Sequence, residues 1–468
     1  SYNDPCSYRR TTVSDGLTVR YDAEKFAVSS ITSYQYSDDA MILDQDFTPL
    51  SYFTLKQARR EHTVTEDVVF RSRDGRRYGW LFGAFGFYRR GTMEAPVHFK
   101  RTGIEKLILE NANEHLGPIW DEQYSTDMQE LPLYSDFRMP ACGGAVYHES
   151  NLRLGHWRLT AGIRCDVEHT SLTYHSRTDM DYSVSKGEGG APAPKRISID
   201  EGNRIAHTYC EVLPKVSVLY AFDEARNLYL SVAKGYKAGG FNTQMFSDIL
   251  SEKLKWQMAG SQYDEPDLMS YEPEYSWNYE LGGHFSCMNG AVRGDFAVFW
   301  IDVRNQQLTV FPKGTTTGRM MTNAGRTRSV GAEAALQFAP WRSLEINAAY
   351  GYTDARFVRY DNGIGNFKDN RIPYAPQHTF SAGAAWTLPT GVKWLGDLVL
   401  QAGVRCAGRI WWNEENTLSQ LFYALTDASV RIEHKHYSLD FWGRNLAGTG
   451  YDVFYFKSIG NEFVQRGR

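Results

Sequence analysis

Apolar and polar positions alternate with a period of two along most of this chain. From Leu228, the residues Leu228, Leu230 and Val232 share one side of an extended backbone, and Tyr229, Ser231, Ala233 and Gly235 the other. From Trp157, one face carries Trp157, Leu159, Ala161, Ile163, Cys165 and Val167, while Arg158, Thr160, Gly162, Arg164, Asp166 and Glu168 take the opposite face. The runs Val212–Phe222 and Leu344–Tyr352 repeat the pattern, with Lys215, Ser217, Glu345 and Asn347 on the polar side. A soluble sandwich cannot bury so polar a second face, whereas a wall with lipid outside and a wet lumen inside accommodates both. Roughly 17 segments fit this template and predict an all-β chain.

The connections alternate too. Short turns fall at Asp22–Lys25, Arg73–Arg77, Asp223–Arg226, Cys287–Gly290, Pro340–Ser343 and Glu433–His436. Longer segments at about 38–62, 92–137, 176–203, 238–272, 311–318, 358–372 and 411–417 lie between them. Short turns on one side and long loops on the other are the topology of outer-membrane barrels. A propeller or solenoid would show a fixed repeat of about 40–50 residues, and none recurs.

Composition adds a little. The 29 Tyr and 12 Trp of these 468 residues suit two interfacial girdles, where amphipathic rings sit at headgroup depth, although a tyrosine-rich soluble β-protein would also carry them. The formal net charge of −4 and the lack of a basic run argue against nucleic-acid binding. No stretch approaches about 18 consecutive apolar residues, so no transmembrane helix is predicted. The start, Ser1-Tyr-Asn-Asp-Pro5, lacks the pattern of a signal peptide. Six cysteines without CxxC spacing leave free half-buried thiols as the favoured reading and one or two disulfides as the alternative. Twelve histidines form no HExxH pattern, and no GxSxG elbow or P-loop occurs. Nothing predicts catalysis or a resident cofactor or metal. Lys237-Ala-Gly-Gly240 follows a strand and opens no helix, so it reads as a turn rather than a phosphate cradle.

Several phrases, in order, resemble TonB-dependent outer-membrane receptors of the siderophore and iron-complex type. The most specific is Val232-Ala-Lys-Gly-Tyr-Lys-Ala-Gly-Gly-Phe-Asn242. It is followed by Tyr271-Glu-Pro-Glu-Tyr-Ser-Trp-Asn-Tyr-Glu-Leu-Gly282, Phe299–Gln307, Thr322-Asn-Ala-Gly-Arg-Thr-Arg-Ser-Val-Gly-Ala-Glu333 and Pro373-Tyr-Ala-Pro-Gln-His378. Near the start, Ile31–Gln35, Asp44–Asp46 and Trp80–Phe85 also match, so the likeness runs from about residue 15 to the end. It implies an antiparallel transmembrane barrel of about 22 strands with a plugged lumen. The whole of 1–468 then reads as barrel. Plug, TonB box, first strands and final strand are expected outside this polypeptide.

The resemblance further implies import of a scarce nutrient, most often a ferric siderophore, with energy from the TonB–ExbB–ExbD complex. Cobalamin, haem or an oligosaccharide are alternative ligands, and a passive porin-type channel is the rival class. His98 and His115 lie in a long loop where a haem receptor would want an axial ligand, but the FRAP-like and NPxL-like phrases of haem receptors are missing. Outer-membrane lipid is the expected surrounding. Rigid aromatic faces in loops and upper walls suit a bulky chelate, which singles out Trp120, Tyr124, Tyr236, Phe241, Trp256, Tyr271, Tyr360, Trp411 and Trp412. Arg359 and Arg371, with Lys368, could attract an anionic chelate. Girdle anchoring for the tryptophans and a solvated rim for the charges are the competing readings.

Overall fold

The computed structural model describes every residue except 1–2, 45–48, 74–76, 116–117, 119–120, 188–189, 263–268, 311–319, 362–364, 459–460 and 468. The wall begins with β1 (Ser7–Asp22), β2 (Phe26–Asp44), β3 (Phe53–Ser72) and β4 (Tyr78–Glu94). Two short strands, β5 (Val97–Lys100) and β6 (Glu122–Ser125), precede β7 (Glu130–Leu154), β8 (Trp157–Lys186), β9 (Ala193–Ala221) and β10 (Arg226–Lys237). A small ribbon, β11 (Gly240–Phe241) with β12 (Ser270–Tyr271), interrupts the wall. It resumes with β13 (Glu274–Cys287), β14 (Val292–Val310), β15 (Met320–Trp341), β16 (Leu344–Arg359), β17 (His378–Pro389) and β18 (Asp397–Ala407). A ribbon of β19 (Ile410–Trp411) and β20 (Ser419–Gln420) precedes β21 (Tyr423–His434) and β22 (Tyr437–Gly443). A last ribbon pairs β23 (Asp452–Ser458) with β24 (Asn461–Arg466). Among the described residues, β1 to β22 without the two inner ribbons form one antiparallel sheet of eighteen strands.

The two faces behave as the alternation predicts. Leu159, Ile163, Val167, Val212, Val216, Leu228 and Leu230 are uncovered on the outside. Their neighbours form polar pairs on the other side: Arg164 donates to Asp166 at 2.7 Å, Tyr229 to Glu280 at 2.8 Å and Arg405 to Asp427 at 2.7 Å. An uncovered apolar band of this extent in water would drive aggregation, and in hydrocarbon it is the matched surface. The six cysteines are separate free thiols.

Two expected loops prove to be strand. β2 runs to Asp44 and β3 starts at Phe53, so most of 38–62 is ladder. β8 and β9 pair from Trp157↔Tyr220 to Val184↔Ala193, which takes in most of 176–203. The 30 residues of β8 would span about 100 Å at roughly 3.3 Å per residue. A bilayer needs only about 9–11 tilted residues, so the upper half of this hairpin projects outward. Two short turns absent from the sequence reading also appear, at Gly155–His156 and at 390–396. The 311–318 segment lies outside the described residues.

The segments 92–137 and 238–272 carry helix. One helical run, α1 (101–115), has a π-helical centre at Ile104–Leu109, and α2 spans Phe246–Met258. In α2 the buried Phe246, Ile249, Leu250, Leu254 and Met258 recur at helical spacing. Ile104, Ile108, Leu109 and Ala112 of α1 pack with Leu250, Leu254 and Met258, and with Phe53, Phe99, Leu131 and Met180 from the strand tops. This cap has an apolar interior that it shares with the tops of the wall strands. Gly103 is required there, because a Cβ would come within 2.1 Å of the Tyr52 carbonyl oxygen.

Candidate functional site

Where the cap meets the upper wall, β9, β10, β13 and the β11–β12 ribbon bring together a cluster of aromatic and charged side chains. β10 pairs with β9 only as far as Ala233↔Lys215, yet continues along β13 to Lys237↔Glu274. Above Ala233 the two neighbours part, and strict alternation no longer dictates direction. Lys234 and Tyr236, which periodicity assigns to the oily side with Leu230, instead lean onto β9. Lys234 Nζ donates to Glu211 Oε2 at 2.9 Å and stands 5.5 Å from the centre of the Tyr275 ring. The Tyr236 and Tyr275 rings are 5.9 Å apart.

On β9, His207 stacks between Tyr209 (6.1 Å, 15°) and Phe241 of the ribbon (5.7 Å, 29°). The glycine pair beside them follows from close approach. A Cβ on Gly239 would sit 2.5 Å from Tyr209 Oη and 2.4 Å from the Tyr271 carbonyl, and one on Gly240 would strike the Tyr271 ring at 2.3 Å. The phrase expected to be a turn is thus a slot through which the backbone passes between two tyrosines. Gln307 closes the top by donating from Nε2 to the Ala238 carbonyl at 2.8 Å. Glu168 and Arg89 lie within electrostatic reach of Tyr236 and Tyr271 respectively. The Tyr236 hydroxyl and His207 Nε2 are enclosed and have no hydrogen-bond partner among the described residues. Burying such groups unpaired costs about 1–3 kcal/mol each, so they are poised to take a partner.

Of the residues singled out from sequence, Tyr236, Phe241 and Tyr271 gather here. His207, Tyr209, Glu211, Lys234 and Tyr275 complete the cluster and were missed. The first three were legible as the polar face of β9, whereas Lys234 was hidden by the parting of β10 from β9 above Ala233.

The other residues are dispersed. Tyr124 is buried in the cap, correcting its placement in the vestibule. Its backbone N–H donates to Asn113 Oδ1 at 2.7 Å and its hydroxyl to Glu122 at 2.9 Å, and burial pushes the phenol well above its ordinary range. Tyr360 is also buried, between Phe357 (5.0 Å) and Phe367 (5.4 Å), and burial pushes its phenol up to about 12. Trp412 is buried edge-on to Tyr374 at 5.3 Å. Arg371 is committed to Asp354 at 2.9 Å, while its backbone N–H donates to Asn416 Oδ1 at 2.6 Å, which ties the 360–377 and 412–418 segments together. Large aromatic loop residues close small cores as readily as they greet ligands, and Tyr124, Tyr360 and Trp412 lie inside such cores. Trp411 is half-buried beneath the Arg409 guanidinium, Trp256 is 37% exposed on α2, and Arg359 and Lys368 are exposed. Trp120 lies outside the described residues.

A continuous antiparallel wall, apolar outside and polar within, with short turns at one end and a built cap at the other, defines a transmembrane β-barrel. The chain belongs to the TonB-dependent receptor family: the model described as "TonB dependent receptor-like, beta-barrel" matches residues 2–446. The barrel is therefore one of the outer membrane of a Gram-negative bacterium, and its family is one of receptors. The pesticin receptor of Yersinia enterocolitica is 25% identical over 90% of this chain and 51% of its own length. The ferrioxamine receptor of the same species is 23% identical over 68% of this chain and 37% of its own. The chain spans about half the length of the curated relatives it matches. Among solved structures, the ferric yersiniabactin uptake receptor FyuA from Yersinia pestis aligns over all of this chain and 61% of its own, with a TM-score of 0.72 and 17% identity. That likeness speaks for the fold.

Proposed function

We propose that the full-length protein is an active importer that binds a ferric siderophore at its outer face. The cluster of His207, Tyr209, Tyr236, Phe241, Tyr271, Tyr275, Lys234 and Glu211 carries this reading. It offers stacking surfaces, a cation, and two enclosed hydrogen-bonding groups without partners among the described residues. A bulky chelate with aromatic or carboxylate arms would satisfy the Tyr236 hydroxyl and His207 Nε2 on binding, so the cost of burying them unpaired becomes selectivity. The names of the relatives, receptors for ferrioxamine and ferric yersiniabactin, support the ligand class.

In this reading, energy comes from the TonB–ExbB–ExbD complex acting on parts of the receptor beyond this wall, and outer-membrane lipid surrounds the barrel. The protein holds no resident cofactor and performs no catalysis; iron is cargo. Of the residues first singled out, Tyr236, Phe241 and Tyr271 are assigned to the ligand. Trp256, Trp411 and Arg359 are assigned to the outer rim that the ligand crosses.

Growth of a deletion strain on a panel of ferric siderophores, haem and cobalamin tests the reading. Loss of growth on at least one ferric siderophore, restored by the wild-type gene, is expected. Unchanged use of every iron chelate would sink it. Replacing Tyr236 by Phe is expected to weaken ligand binding about 10-fold, the value of one buried hydrogen bond of about 1.4 kcal/mol, as read by ligand titration of the purified receptor.

A further inference from the structure

The β11–β12 ribbon is set apart from the ladder of the wall. β10 and β13 pair up to Lys237↔Glu274, and pairing resumes at Gly240↔Tyr271 and Phe241↔Ser270. A ribbon this short does not hold itself in place, since even a longer isolated hairpin is only marginally stable. Phe241 and Met269 rest against the core that includes Phe137, Leu172 and Phe246. Apolar contact is non-directional, so it keeps the ribbon down without aiming its side chains.

Direction comes from three amide side chains. Asn242, just past β11, grips the Met321 peptide of β15 at two points: Oδ1 accepts from its N–H and Nδ2 donates to its carbonyl, both at 2.9 Å. Asn323, two residues along β15, returns the same grip on Glu272, just past β12. Its Oδ1 accepts from the Glu272 N–H at 2.8 Å and its Nδ2 donates to the Glu272 carbonyl at 2.9 Å. Gln307 of β14 spans the gap between the two pairings, donating from Nε2 to the carbonyls of Ala238 at 2.8 Å and Glu272 at 3.1 Å. Asn242 and Gln307 are buried. The wall is locally irregular where these side chains leave it. β14 pairs with β15 at Arg304↔Arg326 and at Gln306↔Ala324, while Asn305 between them has φ +53°, a conformation that asparagine tolerates. The Asn305 carbonyl accepts from Asn323 Nδ2 at 2.9 Å.

We propose that Asn242, Gln307 and Asn323 are positioning residues of the binding site, which set where Phe241 and Tyr271 stand against His207 and Tyr209. Phe241 immediately precedes Asn242 and Tyr271 immediately precedes Glu272, so each ring is one residue from a gripped position. A side-chain amide both donates and accepts, and a carboxylate of the same size loses the donor. The two-point bonds therefore demand amides. Contacting groups of a binding site must be held to about 0.5 Å by supporting hydrogen bonds, and this latch supplies them through the ribbon backbone. The proposal rests on the assignment of the aromatic cluster to the ligand.

The full-length receptor is compared with Asn242→Asp and Asn323→Asp, which keep the size and lose a donor. Asn242→Gln and Asn323→Gln, which keep the amide and add a methylene, complete the set. Three properties are measured: heat-modifiable gel mobility, amide exchange without ligand, and binding of each radio-iron-loaded siderophore whose use requires the gene. The aspartate variants are expected to keep wild-type mobility and wild-type exchange in β14. They are expected to exchange about 10-fold faster at 240–242 and 270–272 and to bind about 10-fold more weakly. The glutamine variants are expected to bind better than the aspartate ones; a packing role alone predicts the reverse, because aspartate fits the space. Asn242→Ser and Asn323→Ser take the place of any aspartate variant that does not fold. Unchanged exchange in the ribbon, wild-type affinity in the aspartate variants, or glutamine variants that bind no better than these overturns the proposal. If no ferric siderophore requires the gene, the functional reading falls, and ribbon exchange alone decides whether the latch holds.

Discussion

At the scale of single residues, three positions show how local geometry makes firm demands. Gly239 passes between Tyr209 and the Tyr271 backbone with no room for a methyl group. Gly239→Ala is expected to displace the β11–β12 ribbon and reduce ligand binding at least 10-fold, with the barrel still resisting heat on a gel. Tyr124 pins β6 to Asn113 of α1 through its backbone, while its buried hydroxyl donates to Glu122 of the same strand. Tyr124→Phe should cost about 1.5 kcal/mol and Tyr124→Ala about 3–5 kcal/mol, measured as the rate of protease cleavage within the cap. Glu130 links β7 to β5, accepting from His98 at 2.6 Å with Lys100 at 3.3 Å. The His98 hydrogen bond is the main cause that holds its carboxyl below the ordinary 4.5, opposed by burial and assisted by Lys100. A depressed carboxyl contributes stability that is fully present above its unfolded value and lost as pH falls through its folded value. Amide exchange at Val97–Lys100 is therefore expected to accelerate below about pH 4.5, after allowance for intrinsic exchange, and Glu130→Gln should remove that step.

At the scale of elements, the wall was legible and the cap was not. Two faces of opposite polarity leave an imprint on every second residue, so β8, β9 and β14 could be read from Trp157, Val212 or Trp300 alone. The same imprint overshot at the top of β10, where separation from β9 turns Lys234 and Tyr236 away from the side their parity assigns. The cap escaped for a different reason. Long segments between strands read as loops in the sequence, although Phe246, Ile249, Leu250, Leu254 and Met258 carry a helical period. The burial of Tyr124, Tyr360 and Trp412 is hidden in the sequence, because aromatic residues in loops serve small interiors and binding surfaces alike. Leu254→Ala in α2 should cost about 2–5 kcal/mol and open the cap to protease while leaving the barrel's strand content unchanged by circular dichroism.

At the scale of the whole molecule, the two surfaces of one wall should tolerate opposite chemistry. Val216 is uncovered toward lipid and Ser217, its neighbour, faces the lumen. Val216→Arg should destabilise the barrel by about 2–4 kcal/mol, whereas Ser217→Arg should cost little, as compared by refolding into bilayers. The interior shared by α1, α2 and the tops of β7 to β9 carries a further consequence. That arc of the rim resembles a fixed lintel: it cannot swing aside without wetting nineteen buried apolar side chains at once. The core of Ala324, Ala355, Phe357, Tyr360, Phe367 and Ile372 holds only six such side chains among the described residues, so that stretch of the rim gives way at lower cost.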